Sequence, residues 1–230
     1  MNLGDPLFAN DSLYQQKLNG LAERYSLETI PVSFDELTYF FTKVSNPGDV
    51  AVDLDSQGEL LWQPYWAEDW ESSRALCRLL LNRAIQGISI LDLGCGLGLT
   101  GAVAASRGAK VILADNARPA LEFSEINCWK WNHLCSYREL DWKASQSELE
   151  PVDLIVGAEI IYDSDDWIDL ERFWRQHLKP DGQVWLCDPF RRTGKEFRDW
   201  IRKKNWDAVF QDLNIPEFEK PVNVVELSLN

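Results

Sequence analysis

The chain has 230 residues, of which 45% are hydrophobic and 12% aromatic, enough for one α/β domain with a sizeable core and too apolar for a disordered chain. No apolar run approaches the roughly 20 residues that cross a bilayer, and MNLGDPLFANDSLYQQ lacks the basic-then-apolar order of a secretory signal. A formal net charge of −14 repels nucleic-acid phosphates and suits cationic partners such as lysine-rich protein surfaces, although plain solubility explains it equally well.

The first sixty or so residues differ in style from the rest. Residues 11–25 have helical character, and FDELTYFF reads as a second helix. AVDLDSQGELLW then reads as two short strands around a turn at Ser56-Gln57-Gly58. A long helix is expected over about 67–84, with Trp70, Ala75, Cys77, Leu80 and Leu81 among its apolar positions.

From Ile88 onward strand and helix alternate. ISILDL is a compact apolar run that stops at a glycine loop; residues 99–107 read as helix and KVILAD as strand. RPALEFSEINCWKW is helical, with Pro119 in the first turn, where proline is tolerated. Short strands near YREL and DLIVGAE follow, then a helix from about Asp166 to Leu178, a turn at Lys179–Gly182 and the strand QVWLCD. Seven basic residues between Arg191 and Lys204 stand against Glu196 and Asp199, with Phe197, Trp200 and Ile201 at helical spacing; a solvated outer helix face explains them better than a phosphate patch. DAVFQDL and NVVELSLN close the chain without a helix between them, as an antiparallel pair. The pattern predicts a seven-stranded, mostly parallel Rossmann-like sheet with helices on both faces, preceded by an N-terminal α+β extension. The boundary falls near residue 62, giving an extension over 1–62 (a lid or docking element) and a catalytic-type domain over 63–230.

Ligands of such sheets bind at the carboxyl ends of the strands. Asp92, Gly94, Cys95, Gly96 and Gly98 occupy that place after the first parallel strand. Read from Gly96, the loop matches the GxGxxG of a dinucleotide fold; read from Asp92, it is Asp-x-Gly-x-Gly-x-Gly. A carboxylate at Asp92 sits badly beside a pyrophosphate and suits a ligand with ammonium and sulfonium charges, which favours S-adenosylmethionine over NAD. Asp115 ends the second strand, where a carboxylate accepts from both ribose hydroxyls, with Asn116 beside it. Asp141 and Trp142 follow the third strand, placed to take an adenine amino group and to cover the ring, unless Trp142 is core.

Three segments resemble class I S-adenosylmethionine-dependent methyltransferases and, more narrowly, methyltransferase family 16, the non-SET protein lysine methyltransferases. They are Pro64-Tyr65-Trp66-Ala67-Glu68-Asp69-Trp70, similar to the PYWA-x-x-W of the electron transfer flavoprotein β-subunit lysine methyltransferases, the ILDLGCGLGLTG loop, and Val156-Gly157-Ala158-Glu159-Ile160-Ile161-Tyr162-Asp163 at the family's Asp-x-x-Tyr position. The sequence departs at Glu159, where aspartate is usual, and at Glu71-Ser72-Ser73, where relatives tend to carry Pro-Gly-Gly or Pro-Ser-Gly. The resemblance implies a protein lysine N-methyltransferase with Trp70 and Ala158 in the cofactor-binding set. Glu159 would hold the incoming ammonium and receive its proton, and Tyr162 would orient the amine. A small-molecule amine or carboxylate methyltransferase, and a catalytically silent cofactor-binding module, stay open beside it.

The acids from Asp163 to Glu171 read equally as a rim that steers lysine-bearing partners and as helix-dipole partners. His133 and His177 have no supporting pattern. Five scattered cysteines without a CxxC pair, and only two histidines, point to reduced thiols in the cytoplasm and no metal site. No membrane and no nucleic-acid partner is expected, and the chain reads as a monomer or weak dimer.

Overall fold

The structure, a computed structural model, describes residues 3–50, 64–144, 148–189, 191–215 and 217–229. The strands expected around Ser56–Gly58 lie outside the described residues.

Seven strands form the main sheet: β3 (Ser89–Leu93), β4 (Lys110–Asp115), β5 (Cys135–Glu139), β6 (Val152–Ala158), β7 (Leu178–Pro189), β8 (Trp206–Leu213) and β9 (Val222–Leu229). Their order is β5-β4-β3-β6-β7-β9-β8, parallel from β5 to β7 and antiparallel through β9 and β8. The central strands are buried on both faces because helices cover each, so β3 and β6 are largely buried runs, broken by Ser89, Asp92 and Asp153, rather than alternating ones. One apolar cluster lies around α2 (Glu71–Leu81), α3 (Leu99–Ser106) and α4 (Arg118–Asn127), the other around α5 (Trp167–His177) and α6 (Arg192–Ile201). Phe197 and Ile201 of α6 are fully buried, Arg192 and Lys195 face out as the spacing predicts, and Arg198 turns in to pair with Asn223 and Asp212. The turn expected at Lys179–Gly182 is instead part of β7, where pairing with β6 skips from Val152–Leu178 to Leu154–Gln183 and the intervening residues bulge.

The N-terminal segment contributes α1 (Ser12–Ala22) and a hairpin of β1 (Leu27–Phe34) and β2 (Leu37–Val44). The helix expected over FDELTYFF is therefore a turn and a strand. Asp35 adopts φ 50 at the turn, and Tyr39 and Phe41 go inward while Phe40 stays out, the two-residue period of a pleated strand. Five aromatic or β-branched side chains from Thr38 to Thr42 also suit a strand better than a helix.

Apolar packing holds this segment in place. Tyr14, Leu18 and Leu21 of α1 are buried in the core that also holds Trp66 and Phe123, each worth about 1.5–3 kcal/mol. The half-exposed ion pairs Lys17–Glu125 and Arg24–Glu122 add about 0–1 kcal/mol apiece. Asp11 caps α1 through Leu13 and Tyr14 N–H and accepts from the Trp129 indole at 3.0 Å. Asn127, the last residue of α4, is the polar link to the glycine loop. Its Oδ1 accepts Thr42 N–H at 2.8 Å, and its Nδ2 donates to Thr42 O at 2.9 Å and to Leu97 O at 2.8 Å.

Asn127→Ala leaves three buried backbone groups without partners. Thermal and urea unfolding should show a loss of roughly 2–4 kcal/mol, with a larger drop in ligand affinity at the loop than a surface substitution such as Lys130→Ala causes.

Candidate active site

At the carboxyl ends of β3, β4, β5 and β6 the loops enclose a cavity of about 480 Å³. Its floor is the glycine loop. Gly94, Gly96 and Gly98 all have positive φ, and at Gly98 (φ 82) a Cβ would lie 2.6 Å from Ser124 Oγ and 2.8 Å from Ser124 Cα, so only glycine lets α4 approach. Gly96 N–H donates to Asp115 Oδ2 and Ala117 N–H to Asp115 Oδ1, both at 2.9 Å. Burial raises the Asp115 carboxyl, and the N–H groups of Ala117, Gly96 and Asn116 pull it back. Each oxygen has accepted one donor and keeps a lone pair, so at the cavity wall Asp115 fits two ribose hydroxyls.

Every site residue expected from the sequence lines this cavity except Asp92: the loop residues, Asp115, Asn116, Asp141, Trp142, Trp70, Ala158, Glu159 and Tyr162 come together on it. Asp92 pairs in mid-sheet between Leu113 and Val156, 2% exposed, and turns under α3 toward Gly101 instead of into the cavity. Strand alternation points it away from the ligand side, which corrects the expectation of direct contact. Burial pushes its carboxyl up to about 7, tempered by Gly101 N–H and reinforced by Asp115.

Glu159 follows β6 with φ 60, a left-handed conformation that costs a non-glycine residue about 1–3 kcal/mol. The carboxylate is 8% exposed; Oε1 accepts the Ser72 hydroxyl at 2.8 Å and Oε2 lies 2.9 Å from Arg191 Nη2. That ion pair is close but lacks hydrogen-bond geometry at Oε2. Burial pushes the Glu159 carboxyl up to about 7, against the Ser72 hydroxyl and Arg191, with Asp188 and Glu71 adding to the rise. The two places where the sequence departs from the family pattern, Ser72 and Glu159, are thus bonded to each other.

Tyr162 and Tyr65 meet edge to face at 5.6 Å, both exposed, and Tyr65 meets Trp70 at 6.4 Å, forming an aromatic collar beside Glu159. Of the nearby acids, Asp69 is held by Arg74 and Asp166 by Lys143, both at 2.5 Å, and Asp169 and Glu171 pair along α5 with Arg172 and Arg175. The acids of Asp166 to Glu171 therefore serve intramolecular pairing first. Sequence reading missed Ser72, whose signal was the departure after Trp70. It also missed Tyr65 within PYWA, Phe41 on β2, and Arg191, which was grouped with the outer face of α6 but turns to the cavity.

The sheet order, the glycine loop and the acid ending β4 define the fold of class I S-adenosylmethionine-dependent methyltransferases. The solved glycopeptide N-methyltransferase MtfA, complexed with S-adenosylmethionine, shares that fold with a TM-score of 0.60 at 12% identity, over 71% of this chain and 97% of that one. The pattern of the lysine methyltransferase family (methyltransferase family 16) matches residues 62–204, more than half of the chain, and the chain belongs to that family. It is 36% identical over 142 residues to the electron transfer flavoprotein β-subunit lysine methyltransferase of Xenopus laevis, covering 57% of this chain and 56% of that protein. It is 38% identical over 109 residues to the protein N-lysine methyltransferase METTL21A of Xenopus tropicalis, covering 44% and 50%. The chain thus spans about half the length of the curated relatives it matches. Among the described residues no helix is long and apolar enough to cross a membrane.

Asp92 and Glu159 stand near 7 and Asp188 near 6 in the folded chain, well above their ordinary carboxylate values. Between pH 4 and 7 the folded state therefore binds protons that the unfolded state has lost, so stability falls as pH rises through that window. Urea titrations of the free protein should show the midpoint declining from pH 5 to pH 8, and Glu159→Gln should recover part of it, on the order of 3 kcal/mol at most.

Proposed function

We propose that this protein is an S-adenosylmethionine-dependent methyltransferase that acts on a lysine side chain of another protein. The observation that carries the reading is the buried Glu159 carboxylate, set beside an aromatic collar on the cavity that the glycine loop also lines. The names of its relatives, both protein lysine methyltransferases, support the same acceptor class.

When bound, S-adenosylmethionine supplies a methyl group on a positively charged sulfur, electrophilic toward an amine. In this reading Asp115 and Asn116 hold the ribose, Asp141 takes the adenine amino group and Trp142 covers the ring. Gly94, Cys95, Gly96 and Gly98 let backbone approach the ligand, and Trp70 and Ala158 close the walls. Asp92 lies beneath the loop, where it supports the strand end from below and does not touch the ligand. Lysine, with a pKa near ~10.4, must lose a proton before it attacks. Glu159 holds the ammonium and, poised near 7, accepts that proton at Oε2 or hands it to water. Tyr162 and Tyr65 present ring faces and a hydroxyl that orient the amine, and positioning of this kind supplies much of a displacement's rate.

The N-terminal hairpin covers the cavity in this proposal: Phe41 of β2 lines it, and Asn127 ties β2 to the loop. In this reading the chain acts as a monomer or weak dimer, and five free cysteines suit a cytoplasmic setting.

Calorimetric titration should show S-adenosylmethionine binding and no NAD binding, with Asp115→Ala weakening the former by about tenfold or more. Methyl-labelled cofactor added to a size-fractionated lysate should label a protein band, and Glu159→Gln should abolish most labelling while changing cofactor affinity little. Wild-type labelling should climb between pH 6 and 8 as Glu159 ionises. Label confined to the small-molecule fraction would replace the lysine reading with a small-amine one; no binding of S-adenosylmethionine would sink the proposal.

A further inference from the structure

Glu159 already has a cation. Arg191 Nη2 sits 2.9 Å from Oε2, the oxygen that Ser72 does not use, and the guanidinium lies 5.9 Å over the Trp70 ring. Its side chain is 42% exposed and lines the cavity, so an incoming ammonium and this guanidinium compete for one oxygen and one aromatic face. The displaced guanidinium stays partly solvated, but a buried carboxylate without donors is costly, so an unsatisfied acid within its reach draws it in.

Asp188 has the properties of that acid. It lies at the carboxyl end of β7, next to Cys187, whose carbonyl accepts Glu159 N–H at 2.9 Å. The side chain is 1% exposed, neither carboxylate oxygen has a hydrogen-bond partner, and Arg191 is within electrostatic reach. Asp188 Oδ2 lies 2.9 Å from where a Cβ at Gly194 would stand, so any other residue at the start of α6 would crowd the carboxylate. Two buried acids, Glu159 and Asp188, thus share Arg191 as their nearby cation.

We propose that Arg191 stands in for the acceptor's ammonium on Glu159 and that Asp188 is the carboxylate it moves to when the acceptor binds, so that these two residues set the preference for cationic amines. The inference rests on the lysine reading of the site. A neutral hydroxyl or thiol brings no charge to replace the guanidinium and leaves Arg191 where it is. An ammonium replaces it in kind, and both ion pairs are then complete.

The test uses n-butylammonium, which carries the four carbons and the charge of a lysine side chain, with the full 15N-labelled protein. The Arg191 Nε–H resonance is assigned by its loss in Arg191→Gln, and sodium chloride at equal ionic strength is the control. Saturable movement of that resonance with butylammonium is expected in wild type. Arg191→Gln should bind the probe about threefold or more tighter, Asp188→Asn about threefold or more weaker, and Asp188→Asn should add nothing in the Arg191→Gln background. Asp188→Asn removes an unpaired buried charge and should melt no lower than wild type, which separates its effect from misfolding. Probe binding that leaves Arg191 unmoved, or that Asp188→Asn weakens equally in both backgrounds, would overturn the exchange and spare the lysine reading. No probe binding even in Arg191→Gln would overturn both.

Discussion

Four carboxylates are buried near the carboxyl ends of four neighbouring parallel strands: Asp115 on β4, Asp92 on β3, Glu159 after β6 and Asp188 on β7. Burying an ionised carboxylate is expensive unless donors or cations surround it. Asp115 solves this with backbone N–H groups, and in doing so pins the glycine loop; Glu159 solves it with one hydroxyl and one arginine. Asp92 and Asp188 remain poorly satisfied, one oxygen of Asp92 and both of Asp188 lacking a hydrogen-bond partner. The result is an edge of the sheet that favours positive charge, which suits the sulfonium and ammonium groups of the proposed reaction.

The N-terminal segment and the sheet share one apolar core, so the cavity wall is built from both. Phe41 reaches it from β2, Trp66 from the turn before α2, and Asn127 bonds the hairpin strand and the loop at once. Packing of Tyr14, Leu18 and Leu21 outweighs the surface ion pairs in holding the segment down. Polar bonds then set the register between hairpin and loop, a division of labour in which burial gives strength and Asn127 gives position.

Glu159 also carries backbone strain, with φ 60 on a residue that has a Cβ. Strain of that kind persists where surroundings over-determine it. Here the N–H bond to Cys187 O, the Ser72 hydroxyl and Arg191 all fix the residue, aiming its carboxylate at the cavity.

Much of this was legible in the sequence, because it depends on local pattern. Apolar runs ending at glycines and acids marked β3, β4 and β6, and the loop, Asp115 and Glu159 sat at strand ends where ligands of such sheets bind. Hairpin against helix over FDELTYFF was only partly legible: its aromatic and β-branched residues lean toward a strand, but the two-residue period emerges only when Tyr39 and Phe41 find a core to face. Side-chain direction was equally hidden: Asp92 belongs to the loop motif yet points beneath it, because strand alternation and α3 decide where it goes. The partners of Glu159 lay farthest from sequence reading. Ser72 is 87 residues away along the chain, and Arg191 was grouped with a solvated helix. Only folding brings two such segments within 3 Å of one carboxylate, since contacts between distant segments depend on how the layers pack and not on local spacing.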